Sequence, residues 1–146
     1  MEKIKIALVG TGSICRSAHM PAYKKRDDVE IIACADIDFG KAQKFAEDYG
    51  IPAVYASVEE LLANCKPDYV DVCTWPAAHA PVAIAAANAG CHVMCEKPVC
   101  HNLDDALQNL HPQFVRNIQP MTGIFHNLLL IDLFFLYGRV WGVCIG

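Results

Sequence analysis

Short apolar segments alternate along this chain with longer segments of helical spacing, and this alternation constrains the fold more than any other feature. The first apolar segment, "KIKIALVG", becomes wholly apolar toward its end, as a strand buried on both faces does. Strands that alternate with helices across short connections predict an α/β fold, a doubly wound parallel sheet with helices on both faces. The five predicted strands lie at residues 3–10, 30–36, 53–55, 68–74 and 91–96, and a predicted helix follows each of them.

Residues typical of helix ends lie between the predicted strands. Asp38 is placed to cap the helix that follows the second strand, and a glycine is placed to end it. Ser57, with Glu60 three residues later, has the pattern of a capping box. A further helix is predicted over residues 15–26, where Pro21 requires a kink or a helix boundary because its nitrogen carries no proton.

Composition and charge exclude several classes of protein. The chain has 146 residues and a formal net charge of −4, so it has no basic surface for nucleic acid. Its N-terminus lacks the pattern of a signal peptide. The most apolar run, Leu128 to Leu136, is interrupted by Asp132 and is far shorter than a membrane span. These features predict a cytoplasmic protein with no nucleic-acid or membrane partner.

The eight cysteines do not predict a metal centre, because no two of them are spaced as a CxxC pair. The densest cluster could be drawn as a zinc site, but neighbouring residues of a strand point to opposite faces, so Cys91 and His92 diverge. Reduced thiols that pack as small apolar side chains are the expected state. The members of that cluster are Cys91, His92, Cys95, Cys100 and His101.

The segment "GTGSIC" follows the first strand and precedes a helix. Gly10 permits a tight turn, and Gly12 allows a pyrophosphate to approach the backbone. The amides of Ser13 and Ile14 then point at the phosphates from the helix N-terminus. Cys15 replaces the third glycine of the dinucleotide-binding pattern, and a bare turn with no ligand remains the alternative.

Asp36 ends the second predicted strand, 24 residues beyond Gly12. An acidic side chain at this position accepts hydrogen bonds from the ribose hydroxyls of an adenosine. A 2′-phosphate would lose those bonds and meet a like charge, so NAD is predicted to bind at least about tenfold more tightly than NADP. The alternative places Asp36 in a loop beside the Asp38 cap.

The segment "CTWPAAH" ends the fourth strand. Thr74 and Trp75 are expected at the edge of the sheet, with an apolar face suited to a nicotinamide or adenine ring. His79 lies in the first turn of the next helix and is a further candidate for cofactor binding. A surface position is the alternative for this histidine.

Glu96, Lys97 and Pro98 follow the fifth strand directly. Pro98 ends the strand because it has no amide proton for the ladder. A lysine at this point, beside a nicotinamide, could hold a substrate hydroxyl and donate or accept its proton. An exposed Glu-Lys pair in a turn is the alternative.

Together these motifs resemble the Gfo/Idh/MocA family of NAD(P)-dependent sugar and polyol oxidoreductases, from about Lys3 to Leu107. The resemblance implies a Rossmann domain that binds the dinucleotide. It also implies that Lys97 assists hydride transfer at a substrate carbinol, with Glu96 beside the nicotinamide and Asp36 on the ribose. The matching segments are "GTGSICRSAHMPAY", "ACADID", "CTWPAAH" and "AGCHVMCEKPVCHNLDDA".

The C-terminal part departs from the family pattern. Family members continue into a large substrate domain, whereas only residues 112–146 remain here, so the chain resembles a truncated member. The predicted division is a Rossmann domain at residues 1–118 and a short irregular remnant of the substrate domain at residues 119–146. The predicted elements beyond the first five strands are a strand near Phe114, a helix from about Met121 to Tyr137 and a strand from Val140 to Ile145.

The functional hypothesis is an NAD-binding domain of a sugar or polyol oxidoreductase, with weak turnover when the substrate domain is missing. One alternative is a non-catalytic nucleotide-binding or partner-docking module, in which the apolar C-terminal segment also offers a surface for self-association. Another is a misfolded remnant that exposes apolar surface around Leu128 to Leu136.

Overall fold

Five parallel strands form one sheet in the order β3-β2-β1-β4-β5. The computed structural model describes residues 2–98. This topology confirms the predicted doubly wound α/β fold, and the strand order reverses between β1 and β4. The strands are β1 (Ile4–Val9), β2 (Val29–Ala35), β3 (Ala53–Tyr55), β4 (Tyr69–Val72) and β5 (His92–Cys95).

Helices cover both faces of the sheet. Ala7 and Val9 belong to one core cluster with the buried residues of α3 and α4, whereas Ile6 and Leu8 belong to a second cluster with those of α1 and α2. The two clusters lie on opposite faces because successive residues of β1 point in opposite directions. The helices are a π-helical turn (Cys15–His19) that leads into α1 (Met20–Tyr23), then α2 (Phe39–Tyr49), α3 (Val58–Asn64) and α4 (Pro76–Asn88).

The predicted caps hold α2 and α3 in place. Asp38 accepts a hydrogen bond from the amide of Lys41, and Gly50 ends α2 in the left-handed conformation. Ser57 caps α3 by accepting from the amide of Glu60. The Glu60 carboxylate accepts from the amide of the residue before the cap, at 3.2 Å, so the reciprocal bond of a capping box is displaced by one residue.

The first helix, predicted over residues 15–26 with a kink or a boundary near Pro21, is irregular there and shorter than predicted. It contains the π-helical turn, and α1 ends at Tyr23. The amide of Met20 donates to the carbonyl of Cys15, five residues back. Pro21, which has no amide proton to donate, follows at the start of α1. The helical register therefore changes just before the proline, and π-turns of this kind occur often at functional sites.

The carboxyl ends of the strands lie in one row. Val9 pairs with Ala35 of β2 and with Val72 of β4, and Val72 pairs with Cys95 of β5. The ladder continues for one more residue, because the amides of the next residues donate to these strand ends at 2.7–2.9 Å across β2, β1, β4 and β5. The residues just after these four strands are therefore neighbours.

Some of the remaining predictions about the fold concern described residues, and others lie outside them. Cys91 and Val93 pack in one core cluster with Cys95 against it, as predicted for alternate residues of a strand. Within the described part of the chain, no helix is long and apolar enough to cross a membrane. The elements predicted beyond residue 112, the boundary at residue 118, and the ligand candidates Cys100 and His101 lie outside the described residues.

Candidate functional site

The glycine turn after β1 is fixed by its closeness to the end of β4. Gly10 has φ of +93°, and a Cβ at this position would lie 2.6 Å from backbone atoms of Cys73 and Thr74. Only glycine therefore fits here without moving β4. A Cβ on Gly12, in contrast, would meet nothing within 4 Å. The space beside Gly12 is open to a ligand that approaches the backbone.

Ser13 and Ile14 are exposed at the start of the helix that follows the turn. The amide of Arg16 donates to the carbonyl of Gly12 at 3.2 Å, so the helical hydrogen bonds begin there. The first amides of a helix have no carbonyl partner within it, and their dipoles favour an anion. The predicted phosphate-binding residues thus lie together, next to the open side of Gly12.

Asp36 follows β2 and braces the glycine turn. Its Oδ2 accepts hydrogen bonds from the amide and the hydroxyl of Thr11, at 2.8 and 2.9 Å. Its Oδ1 accepts from the amide of Asp38 at 3.0 Å. Partial burial alone would raise the pKa of Asp36, but the bonds from Thr11 and Asp38 outweigh it and lower the pKa. An ionised carboxylate therefore lies beside the turn, as the ribose prediction requires.

Cys15, which replaces the third glycine, is fully buried and lies against Cys73. The hydrogen bond with Cys15, burial and the neighbouring Asp71 all raise the pKa of Cys73. Burial likewise raises the pKa of Cys34 to about 12. The thiols of Cys34 and Cys73 therefore stay protonated at neutral pH.

The loop after β4 presents one large apolar side chain to solvent. Trp75 is 68% exposed. The hydroxyl of Thr74 donates to the carbonyl of Trp75 at 3.3 Å. An exposed indole at the strand-order reversal is available to a ring-shaped ligand.

His79 is buried, so the surface alternative for this residue is wrong. It is 1% exposed, and its ring lies between two loops. Nδ1 lies 2.8 Å from the carbonyl oxygen of Pro98, and Nε2 lies 2.9 Å from that of Thr74. His79 therefore ties the loop after β4 to the turn after β5.

Glu96 and Lys97 lie in different surroundings. Two residues of a simple exposed pair would both face solvent. Lys97 is exposed, whereas the Glu96 carboxylate turns inward and its Oε1 lies 2.7 Å from Nε2 of His19. The other oxygen of Glu96 accepts from the amide of Lys97 at 3.4 Å. The Lys97–Pro98 peptide bond is cis.

Sequence reasoning missed the buried polar cluster beneath this turn. Asp71 is fully buried in β4, and its Oδ2 accepts from the Tyr23 hydroxyl at 2.7 Å and lies 2.7 Å from Nδ1 of His19. Burial and the charge of Asp71 raise the pKa of Tyr23, which stays a hydrogen-bond donor. The available signal was a carboxylate within an otherwise apolar strand, since a buried charge requires partners.

The geometry of this cluster favours hydrogen bonding over metal binding. His19, Asp71 and Cys73 offer ligand atoms within 4.8 Å of one another. The separation of 2.7 Å between His19 Nδ1 and Asp71 Oδ2 is that of a hydrogen bond. Two atoms bound to one tetrahedral zinc ion lie about 3.3 Å apart, and the metal binds a thiolate rather than a thiol.

The sequence of the chain matches that of a known protein family. Residues 4–112 match the oxidoreductase family with an NAD-binding Rossmann fold, Gfo/Idh/MocA. The chain belongs to the Gfo/Idh/MocA family. This confirms the predicted family and identifies the α/β unit as its NAD-binding Rossmann fold.

Several dehydrogenases are similar to the chain in sequence. The chain is 38% identical over 95 residues to D-glucoside 3-dehydrogenase of Escherichia coli K12, across 65% of this chain and 27% of that protein. It is 36% identical over 136 residues to D-xylose 1-dehydrogenase (NADP(+)) 2 of Haloferax volcanii, across 86% and 42%. It is 32% identical over 102 residues to myo-inositol 2-dehydrogenase of Thermotoga maritima, across 70% and 30%. The chain spans less than half the length of each.

Solved structures show the same fold. An oxidoreductase from Agrobacterium radiobacter, crystallised with NAD+, L-tartaric acid and magnesium, superposes with a TM-score of 0.72 at 26% identity, across 81% of this chain and 34% of that one. The WlbA dehydrogenase of Chromobacterium violaceum, crystallised with NADH and UDP-GlcNAcA, gives 0.69 at 32% identity, across 80% and 32%.

Proposed function

We propose that the row of residues after β2, β1, β4 and β5 is the nicotinamide dinucleotide site of a sugar or polyol dehydrogenase. The observation that carries the proposal is the alignment of Asp36, Gly10 and Glu96 along this row, where the strand order reverses. Bound NAD supplies the hydride acceptor for oxidation of a carbinol. The protein contributes binding, orientation and proton transfer.

The pyrophosphate is assigned to the open side of Gly12. Its lack of a neighbour within 4 Å of a Cβ leaves room for the phosphates to reach the backbone. The amides of Ser13 and Ile14 then donate to the phosphate oxygens at the positive end of the helix. Gly10 supports this indirectly, because it brings the turn against the end of β4.

Asp36 is assigned to the ribose of the adenosine. Each carboxylate oxygen accepts about two hydrogen bonds. Oδ2 already has two donors from Thr11, whereas Oδ1 has one from Asp38 and retains a site for a ribose hydroxyl. A 2′-phosphate would instead meet an ionised carboxylate, so NAD is preferred over NADP by at least about tenfold.

The nicotinamide is assigned to the region between the β4 loop and the β5 turn. Thr74 and the exposed Trp75 follow β4, and Glu96 follows the neighbouring strand β5. His79 is buried beneath both loops and acts by holding them together rather than by touching the cofactor.

Lys97 is assigned the proton transfer. Its side chain is exposed at the end of β5. The carboxylate of Glu96, the preceding residue, contacts the ring of His19. As hydride leaves the carbinol carbon for NAD, the amine of Lys97 accepts the proton of the substrate hydroxyl and becomes an ammonium, which then gives the proton to solvent. The dehydrogenases named above act on D-glucosides, D-xylose and myo-inositol, which supports a sugar or polyol as the substrate class.

The second candidate is a dinucleotide-binding module without turnover. The observation that favours it is that all the predicted site residues belong to the nucleotide-binding fold, between Gly10 and Lys97. Positioning a substrate for reaction accounts for about 7–11 kcal/mol of barrier reduction in enzymes, and it needs groups that grip the substrate. Such a module would bind the cofactor and leave polyols unreacted.

Calorimetric titration of the purified chain with NADH and then NADPH tests the binding proposal. Saturable binding that favours NADH is expected, and equal affinity or preference for NADPH would remove Asp36 from the ribose. Absorbance of NADH formed from NAD and a panel of sugars and polyols then separates the two candidates. Turnover supports the dehydrogenase, whereas binding without turnover supports the module.

A further inference from the structure

The polar cluster under the β5 turn connects three parts of the chain that are distant in sequence. His19 comes from the π-helical turn, Asp71 from β4, and Glu96 from the end of β5. The imidazole lies between the two carboxylates, 2.7 Å from an oxygen of each. The side chain of His19 is 7% exposed, that of Asp71 is fully buried, and that of Glu96 is 20% exposed.

These two contacts require two protons. A neutral imidazole has one N–H donor and one lone pair, so one of its nitrogens would face a carboxylate oxygen with no proton between them. Asp71 acts only as an acceptor, since its oxygens also face the Tyr23 hydroxyl and the Cys73 thiol. Glu96 also acts as an acceptor, since its second oxygen accepts from the amide of Lys97 at 3.4 Å. The second proton therefore belongs on the ring.

We propose that His19 is a doubly protonated imidazolium that bridges Asp71 and Glu96 and thereby positions the turn that carries Lys97. The bridge continues into the backbone of the turn, because the second oxygen of Glu96 accepts from the amide of Lys97 at 3.4 Å. Lys97 is therefore linked through Glu96 to the buried pair of His19 and Asp71. The conformation of the turn that carries Lys97 depends on whether His19 is protonated.

The groups that face the ring directly are two carboxylates and one thiol. Asp71 and Cys73 come from β4 and Glu96 from the β5 turn, while Tyr23 of α1 reaches the ring through Asp71. Burial alone would lower the pKa of His19, but the hydrogen bonds and charges of Asp71 and then of Glu96 outweigh it and raise the pKa to about 9. The role of Lys97 rests on the proposed function, but the bridge itself does not.

The test is nuclear magnetic resonance of the ¹⁵N-labelled chain, without cofactor, between pH 6 and 10. The His19 ring signals are identified as those lost in His19→Gln. Both ring nitrogens are expected to be protonated at pH 7.5, and the amide signal of Lys97 is expected to follow the His19 titration. A neutral tautomer at pH 7.5 would overturn the bridge.

Two further variants keep the test decisive if His19→Gln fails to fold. The His19 ring signals are then identified as the histidine signals that change in Glu96→Gln. Glu96→Gln retains the shape of the side chain but removes its charge, and it is expected to lower the His19 midpoint by about one pH unit and to uncouple the Lys97 amide from it. Glu47→Gln, the same change on the exposed side of α2, is the control and is expected to leave both unchanged. Equal effects of the two variants would overturn the positioning role.

Discussion

Thr11 directs two donors, its amide and its hydroxyl, at a single carboxylate oxygen of Asp36, at distances of 2.8 and 2.9 Å. The turn after β1 and the end of β2 are therefore one hydrogen-bonded unit. This arrangement gives Asp36 two tasks, support of the glycine turn and recognition of a ribose, which separate variants distinguish.

Asp36→Ala is expected to weaken NADH binding, because both tasks are lost. It is also expected to reduce the factor by which NADH binds more tightly than NADPH. Thr11→Val removes only the hydroxyl donor to a charged acceptor, at a cost of about 1.5–3 kcal/mol in the free energy of unfolding. Thr11→Val should weaken NADH and NADPH alike. Calorimetry with both cofactors measures the ratio of the two dissociation constants.

The control for the loss of stability is Ser57→Ala, which removes the cap of α3 and costs about 1 kcal/mol. Its cofactor affinities should equal those of the wild type. If Asp36→Ala leaves the NADH-to-NADPH ratio unchanged, Asp36 does not touch the ribose.

Alanine substitutions at the two glycines of the turn are expected to affect different properties, stability in one case and dinucleotide binding in the other. Gly10→Ala places a Cβ 2.6 Å from the backbone at the end of β4, in a left-handed conformation, and should lower the free energy of unfolding by more than about 2 kcal/mol. Gly12→Ala meets no protein atom within 4 Å and should leave stability nearly unchanged. It should weaken dinucleotide binding by about tenfold or more, since a methyl group occupies the assigned phosphate space.

Urea denaturation and calorimetry of the pair measure the two effects. A stable Gly12→Ala variant that binds NADH normally would show that the pyrophosphate does not approach this residue.

Stability should fall as the pH rises from 6.5 to 8.5. The pKa of His19 is about 9 in the folded chain and about 6.5 in the unfolded chain, so the native state holds more protons across this window. The contribution is fully present below pH 6.5 and disappears as the pH passes 9. Over the window itself the free energy of unfolding should decrease by about 2 kcal/mol.

Denaturant unfolding at several pH values checks this slope. His19→Gln lacks the titrating group, and its stability should be nearly flat between pH 6.5 and 8.5. The raised pKa of the buried Cys73 lowers stability further mainly above that window, because unfolded thiols begin to ionise near its upper end. A wild-type slope as flat as that of the variant would contradict a protonated His19.

Lys97→Ala should keep NADH affinity within a few-fold, because the assigned cofactor contacts come from other residues. It should abolish any oxidation of sugars or polyols, measured as NADH formation. Lys66→Ala is the matched control, an exposed lysine before the amino end of β4 and thus at the opposite edge of the sheet. Turnover retained in Lys97→Ala would remove this residue from the mechanism.

Local patterns predicted the sheet and the cap at Asp38, because periodicity and capping depend on neighbouring residues. They missed the contacts of His19 with Asp71 and Glu96, which lie 52 and 77 residues away along the chain. The burial of His79 was missed for the same reason, since its partners lie in two loops that only the folded sheet brings together.

The π-helical turn is a different case. Pro21 signalled an irregularity in the first helix, but sequence alone did not say whether the helix would kink, end or change register. His19 is the last residue of this turn, so a local irregularity coincides with the long-range contacts of its side chain.

Hydrogen bonds across the strand ends also affect the dynamics of the candidate site. The amides of Gly10, Cys73 and Glu96 each donate to a neighbouring strand, so none of them exchanges its proton with solvent until two strands separate. In native-state hydrogen exchange these amides should behave as one cooperative unit that opens in a concerted event. The rigidity of the candidate site is then a collective property of the sheet, and no single loop has to supply it.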